Sequence, residues 1–214
     1  MARHGSLLVS CLAAVTFATS CTRMVGGISL MPPTEGPYLG GMDVDELLLT
    51  TAEMRDLTGA GTDLNGVPGM DSKQTVDDEL LVDTAPPECQ FVFRESMIFG
   101  PDVKQFHKTS FQTPPKQELL SEAAAAYVDA DTALRAFNNI TDLVKACGAT
   151  SSGDAYVYDW TADAQTVRAE SLGDCGRIYQ LQSTVLIEVT YCGYSTHVIP
   201  DLVAARIAAR VGTK

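Results

Sequence analysis

The stretch Cys175-Gly176-Arg177-Ile178-Tyr179-Gln180-Leu181-Gln182-Ser183-Thr184-Val185-Leu186-Ile187-Glu188-Val189-Thr190-Tyr191-Cys192 decides the fold. Aliphatic, β-branched and aromatic residues fill both sides of Ser183-Thr184, the composition of two strands joined by a tight turn. A two-residue turn sets Gln182 opposite Val185, and counting outward sets Cys175 opposite Cys192. Directly paired residues hold their Cβ atoms about 4.5–5.5 Å apart, close to what a disulfide spans. Register alone therefore predicts the bridge Cys175–Cys192. The same register puts Ile178 with Val189 and Gln180 with Ile187 on one face, which is mostly apolar and should meet helices. Arg177 with Thr190, Tyr179 with Glu188, and Leu181 with Leu186 share the face of the bridge, a mixed face open to water.

Working upstream, Thr166–Leu172 and Ala155–Trp160 also have strand composition, after a turn at Ser151-Ser152-Gly153. Before them lies the clearest helix. Asp131 is its expected cap, and Leu134, Phe137, Ile140, Val144 and Cys147 recur every three or four residues until Gly148 stops it. Leu119–Val128 holds four alanines, which favour helix by propensity, but Pro115 and the next cap box it in, so it is read as a strand. Phe106–Gln112 is a second short strand. Pro86-Pro87-Glu88-Cys89 opens a helix running to about Arg94, since proline is tolerated in a first turn. Thr50 and Glu53 form a capping box for a helix ending at Gly59, preceded by a short helical stretch over Asp45–Leu49. Gly59–Asp83, rich in Gly, Asp and Asn, reads as a long polar loop. Downstream, Pro200 stands near the start of a last helix whose apolar face is Ile199, Leu202, Val203, Ala205, Ile207 and Val211. Helices interleaved with a terminal run of antiparallel strands give the class α+β: an antiparallel β-sheet with packed helices and two disulfides.

The N-terminus has a different character. Arg3 and His4 precede the apolar run Leu7–Phe17, and Ala18-Thr19-Ser20 places small residues directly before Cys21. A membrane-spanning helix needs about 20 apolar residues, and this run has instead the length and charge order of a cleavable signal. Small residues suit a peptidase groove, and the Cys21 thiol can take diacylglycerol, as at a lipobox. The rival reading is an ordinary secretory signal with an incidental cysteine. Residues 1–20 are thus read as a lipoprotein signal peptide. Residues 21–42, with Gly26-Gly27, Pro32-Pro33 and Gly40-Gly41, are a lipidated tether, and 43–214 are one extracytoplasmic domain. Localisation follows: the outer face of the cell membrane, held by lipid.

Cysteine accounting depends on that assignment. Of six cysteines, Cys11 leaves with the signal and Cys21 takes lipid, leaving Cys89, Cys147, Cys175 and Cys192. An even count in an exported chain reads as two disulfides. With Cys175–Cys192 set by register, Cys89 is left for Cys147. No Cys-x-x-Cys pair occurs and only His107 and His197 survive in the mature chain, so no metal or other cofactor is expected. The chain carries 27 acidic and 15 basic residues, a net charge of −12, and loss of Arg3 takes it one unit lower. Such a surface repels phosphate, which excludes nucleic acid as a partner.

Taken together, the lipobox, Asp45-Glu46-Leu47-Leu48-Leu49, Pro87-Glu88-Cys89, the helix to Cys147, the strand at Trp160, Cys175…Cys192-Gly193 and the Ile207-Ala208-Ala209-Arg210-Val211 helix resemble one family. It is the PknH-like extracellular sensor domain, found on a mycobacterial receptor serine/threonine kinase and on free-standing actinobacterial lipoproteins. The resemblance covers roughly residues 43–212, a domain of ordinary size. It implies an antiparallel sheet with packed helices, disulfides pairing first with second and third with fourth cysteine, and a cleft for a ligand. The tryptophan usual before the second cysteine is replaced here by Leu143-Val144-Lys145-Ala146.

The candidate chemistry is modest. Arg177, Tyr179, Glu188 and Thr190 share one strand face, where they form either a polar patch for an anionic or hydroxylated ligand or a solvated face with an ion pair. Tyr156, Tyr158 and Trp160 read as core or rim rather than a stacking platform. His107 lacks a nucleophile motif beside it. Asp77-Asp78 lacks the ligand spacing of a calcium loop. The Asn139-Ile140-Thr141 sequon falls inside a helix. The expected function is therefore non-catalytic: a sensor-like domain binding a small molecule, glycan, lipid or envelope protein. The alternative is an envelope scaffold without a small ligand.

Overall fold

The computed structural model describes residues 43–114, 116, 118–194 and 196–212. The signal peptide, Cys21 and the tether lie outside the described residues. Among the described residues seven strands form one antiparallel sheet: β1 (Asn65–Gly66), β2 (Gln105–Thr113), β3 (Glu118–Ala126), β4 (Asp159–Ala162), β5 (Thr166–Glu170), β6 (Cys175–Gln182) and β7 (Val185–Cys192). Their spatial order is β1-β2-β3-β7-β6-β5-β4. The α-helices are α1 (Thr51–Thr58), α2 (Glu79–Val82), α3 (Glu95–Phe99), α4 (Ala130–Gly148) and α5 (Val198–Val211).

The hairpin has the register read from the sequence, Cys175 opposite Cys192 and Gln182 opposite Val185. Both disulfides follow, Cys89–Cys147 and Cys175–Cys192. Ser183 turns the chain with φ +56°, a conformation that costs an L-residue energy and glycine almost nothing. Ser183→Gly should therefore raise stability by about 0.5–1 kcal/mol. The measurement is a shifted urea midpoint at unchanged slope.

The alanine run is strand because its neighbours make it so. β3 lies between β2 and β7, so its backbone groups are paired on both edges. Tertiary pairing overrides helix propensity here. Alanine also lets helices approach both faces closely. Ala124 and Ala126 belong to a core with Ile178, Ile187 and Val189 beneath α5 residues Val203, Ile207 and Val211, and with Leu47, Leu48 and Met54. Ala123 and Ala125 belong to the opposite core, with Tyr179 and Leu186 beneath Phe137, Ile140 and Val144 of α4. The mixed face is thus only partly wet: α4 dries the end that carries Tyr179, Leu181 and Leu186.

Several boundaries differ from expectation. Asp129, not Asp131, caps α4, its carboxylate accepting the Thr132 N–H at 2.7 Å. That phase puts Ala133 in the core and leaves Leu134 exposed. Gly148 is the last helical residue and Ala149 the cap. In α5, Ala204 and Ala208 are buried where Leu202 and Ala205 were expected. The strand expected at Ala155 begins only at Asp159, because the N–H groups of Tyr156 and Val157 turn back to the Gly153 carbonyl. The cysteine helix is 3-10, Pro87–Phe93, and the stretch at Asp45 is a 3-10 turn, Val44–Glu46, capped by Asp43. The α1 capping box is present, and Gly59 ends that helix at φ +67°.

The largest correction is Gly59–Asp83, which is no free loop. It carries β1 and α2 and lies along β2. The Val67 N–H donates to the Ser110 carbonyl at 2.8 Å, and Ser72 exchanges two backbone bonds with Lys108. Asp78 then ties it to the Phe93 carbonyl. The segment is a strap across the mouth of the open half of the mixed face.

Candidate functional site

Helix α4 covers one end of the mixed face and leaves the end near Cys175–Cys192 uncovered. A cleft of about 670 Å³ opens there. Its floor is Arg177 of β6, Glu188 and Thr190 of β7, Ser121 of β3 and Lys108 of β2. Strand pairing explains the convergence. Arg177 faces Thr190 across β6–β7, and Thr190 faces Ser121 across β7–β3, so all point to one side. The walls are apolar: Phe91, Val92 and Phe93 from the 3-10 segment, Ile98 from α3, and Tyr156 and Val157 from the turn before β4. Phe93 and Tyr156 meet edge to face, with ring centroids 5.9 Å apart.

The polar floor is incompletely satisfied. Arg177 Nη2 donates to the Val92 carbonyl at 2.9 Å, tying wall to floor. Its Nε lies 3.8 Å from Glu188 Oε1, which also accepts the Thr190 hydroxyl at 2.8 Å. Glu188 Oε2 and Arg177 Nε are buried without a hydrogen-bond partner in the protein. Behind them Tyr179 is fully buried, its hydroxyl likewise unpartnered. Burial, reinforced by the charge of Glu188, holds that phenol well above its ordinary range, so it stays protonated. At the other side of the floor Lys108 pairs with Glu95, whose Oε2 accepts the Val76 N–H at 2.7 Å. That pair anchors the strap.

A model of the PknH-like extracellular domain matches residues 40–211. The chain belongs to that family. The crystal structure of the extracellular domain of PknH from Mycobacterium tuberculosis is similar in fold, with a TM-score of 0.60. That match is 19% identical and covers 80% of this chain and 95% of that one. Identity at this level speaks to fold alone. No curated protein sequence matches the chain. No helix among the described residues is long and apolar enough to cross a membrane.

Within this PknH-like domain the structure brings together three of the four residues singled out from the sequence. Arg177, Glu188 and Thr190 line the cleft, whereas Tyr179 lies behind the floor under α4. Lys108, Glu95, Ser121 and the Phe91 and Phe93 walls were missed. Ser121 and Lys108 follow from β2–β3–β7 register, a signal that needed β3 paired to the hairpin. Glu95 had no signal, because α3 was not recognised.

The remaining candidates lie elsewhere. His107, on the opposite face of β2, has Nδ1 2.9 Å from Asp45 and Nε2 3.4 Å from Asp71, joining the N-terminal turn to the strap. Asp77 accepts the backbone and hydroxyl of Ser96, and Asp78 caps α2. Asn139 donates to the Met97 carbonyl at 2.8 Å. Tyr156 is a cleft wall, Tyr158 is exposed, and Trp160 packs against the α4 core. No three His, Cys, Asp or Glu side chains cluster as a metal site among the described residues.

Proposed function

We propose that this chain is a lipid-anchored, extracytoplasmic sensor module that captures a ligand in the cleft without turning it over. The reading rests on one observation above others. A 670 Å³ cleft with apolar walls ends on a floor where Glu188 Oε2 and Arg177 Nε lack partners. Buried polar groups are nearly always hydrogen-bonded, and pockets with a few convergent polar groups in an apolar shell are the usual form of a small-molecule site. Membership of an extracellular family supports placement outside the cytoplasm. The lipobox reading supports Cys21 as the attachment point, with residues 21–42 as spacer.

Thermal-shift screening of the full chain against envelope metabolites tests the cleft. A ligand at about 100 times its Kd should stabilise by about 2.7 kcal/mol, a rise of several degrees. Arg177→Met should abolish the rise. A silent screen, together with crosslinking in the envelope to one stoichiometric protein, would replace this reading with the scaffold. The anchor is tested separately: blocking lipoprotein signal peptidase should accumulate full-length precursor, and unchanged processing would favour ordinary secretion.

A further inference from the structure

The chemistry of the cleft restricts what it can hold. Glu188 Oε2 can only accept a hydrogen bond and Arg177 Nε can only donate one, and both are buried at the floor without a partner. A hydroxyl or amide satisfies both at once, because it donates and accepts. A carboxylate or phosphate could take the Arg177 donor but would set a second anion against Glu188. An ammonium could take Glu188 but would sit against Arg177.

The charges of the cleft do not ask for an ionised ligand either. Lys108 is matched by Glu95, and Arg177 by Glu188. The strap is acidic where it meets the mouth, with Asp78 lining the cleft between Asp77 and Glu79, and the nearby Arg94 already paired with Glu79. An anion would cross that field before reaching the floor, and find no surplus cation there.

Away from the floor the cleft is mostly apolar, and the polar side chains there, Ser72, Asp78 and Ser171, already bond within the protein. Phe91, Ile98 and Val157 would leave the outer hydroxyls of a sugar without partners, which costs binding energy. At the mouth Met70, Val76 and Leu81 line the cleft and are also 39%, 53% and 43% exposed. Apolar side chains kept in water at an entrance give an alkyl chain a continuous path outward. From these observations we infer that the cleft selects an uncharged amphiphile, an alkyl chain ending in a group that both donates and accepts hydrogen bonds. The inference rests on the proposed role of the cleft as a ligand site and names the class of its ligand.

Three probes with one chain length separate the possibilities: 1-lauroylglycerol, laurate and dodecylammonium, titrated calorimetrically into the non-acylated full chain below their aggregation thresholds, with maltose as a fourth. Lauroylglycerol should bind at least about tenfold tighter than either ion, since a site built around paired polar groups rejects a mismatched one strongly. Glu188→Gln should narrow the gap between lauroylglycerol and laurate, and Tyr156→Asp in the wall should weaken all three dodecyl probes. The ranking on the unsubstituted chain decides the question whatever the stability of the variants. Equal or tighter binding of laurate or dodecylammonium would overturn the selection for uncharged ligands and leave the cleft reading standing. Maltose binding in place of the dodecyl probes would overturn the amphiphile in the same way, as would dodecyl probes that fail while a metabolite shifts the melting temperature. Silence from every probe and from the metabolite screen would overturn both.

Discussion

Glutamine in place of Glu122 should leave the domain more stable than its parent at pH 9, by on the order of 4 kcal/mol, and no more stable at pH 4. Glu122 lies on β3, on the face opposite the cleft, with no exposed surface. Its Oε1 accepts the Leu49 N–H at 2.7 Å, and its Oε2 has no partner. Burial pushes its pKa from 4.5 up to about 8. The Leu49 N–H and the Arg210 guanidinium on α5 pull it back, and Glu53 on α1 pushes it further.

The sign follows from which state holds the proton. Below pH 4.5 both folded and unfolded chains are protonated at Glu122, and folding carries no penalty there. Between about 4.5 and 8 the unfolded chain ionises while the folded one keeps its proton, so stability falls as pH rises. Above about 8 the loss is complete. Glutamine copies the shape of the protonated acid and still accepts from Leu49, but it cannot ionise. Urea denaturation at pH 4, 6 and 9 would show the parent losing stability and Glu122→Gln holding level on this account. Parallel curves would mean that water reaches Glu122 and keeps it an ordinary carboxylate.

The hairpin was legible because two independent constraints agreed on it: strand parity and a pair of cysteines equidistant from a turn. The polar floor was legible for the same reason, since parity assigns Arg177, Glu188 and Thr190 to one face. Parity does not say what covers that face. Whether it is dry or open depends on where α4 stops, which is why Tyr179 was grouped with residues it lies behind. Period and composition also fail for short elements. α3 has five residues and α2 four, too few to show a repeat. The strap from Gly59 to Asp83 is held by backbone bonds to β2 and to Phe93 rather than by an apolar pattern of its own, so its polar composition read as a loop. The phase of α4 slipped because Leu134 is more hydrophobic than Ala133, yet alanine is what fits where Asp129 starts the helix.

Serine at both Cys89 and Cys147 should cost about 4 kcal/mol, because the bridge closes a loop with a sequence separation of 58 residues. The equivalent change at Cys175 and Cys192, 17 residues apart, should cost about 3 kcal/mol by the same chain-entropy argument. The two losses should differ more in the cleft than in stability. Cys175–Cys192 joins strands already paired along their whole length, so the ladder preserves the floor without it. Cys89–Cys147 instead pins a 3-10 segment to α4, and that segment supplies Phe91, Val92 and Phe93 to the cleft wall. A 3-10 turn has poor hydrogen-bond geometry of its own, leaving the wall dependent on the bridge, on Phe91 packing and on the Arg177 contact to the Val92 carbonyl. Hydrogen exchange at Phe91, Val92 and Phe93 should therefore rise in the Cys89/Cys147 double serine variant beyond what its global stability explains. In the Cys175/Cys192 variant it should rise only in step with global stability. Equal local protection in both variants would show that the wall stands without its disulfide, held by Phe91 packing and the Arg177 contact.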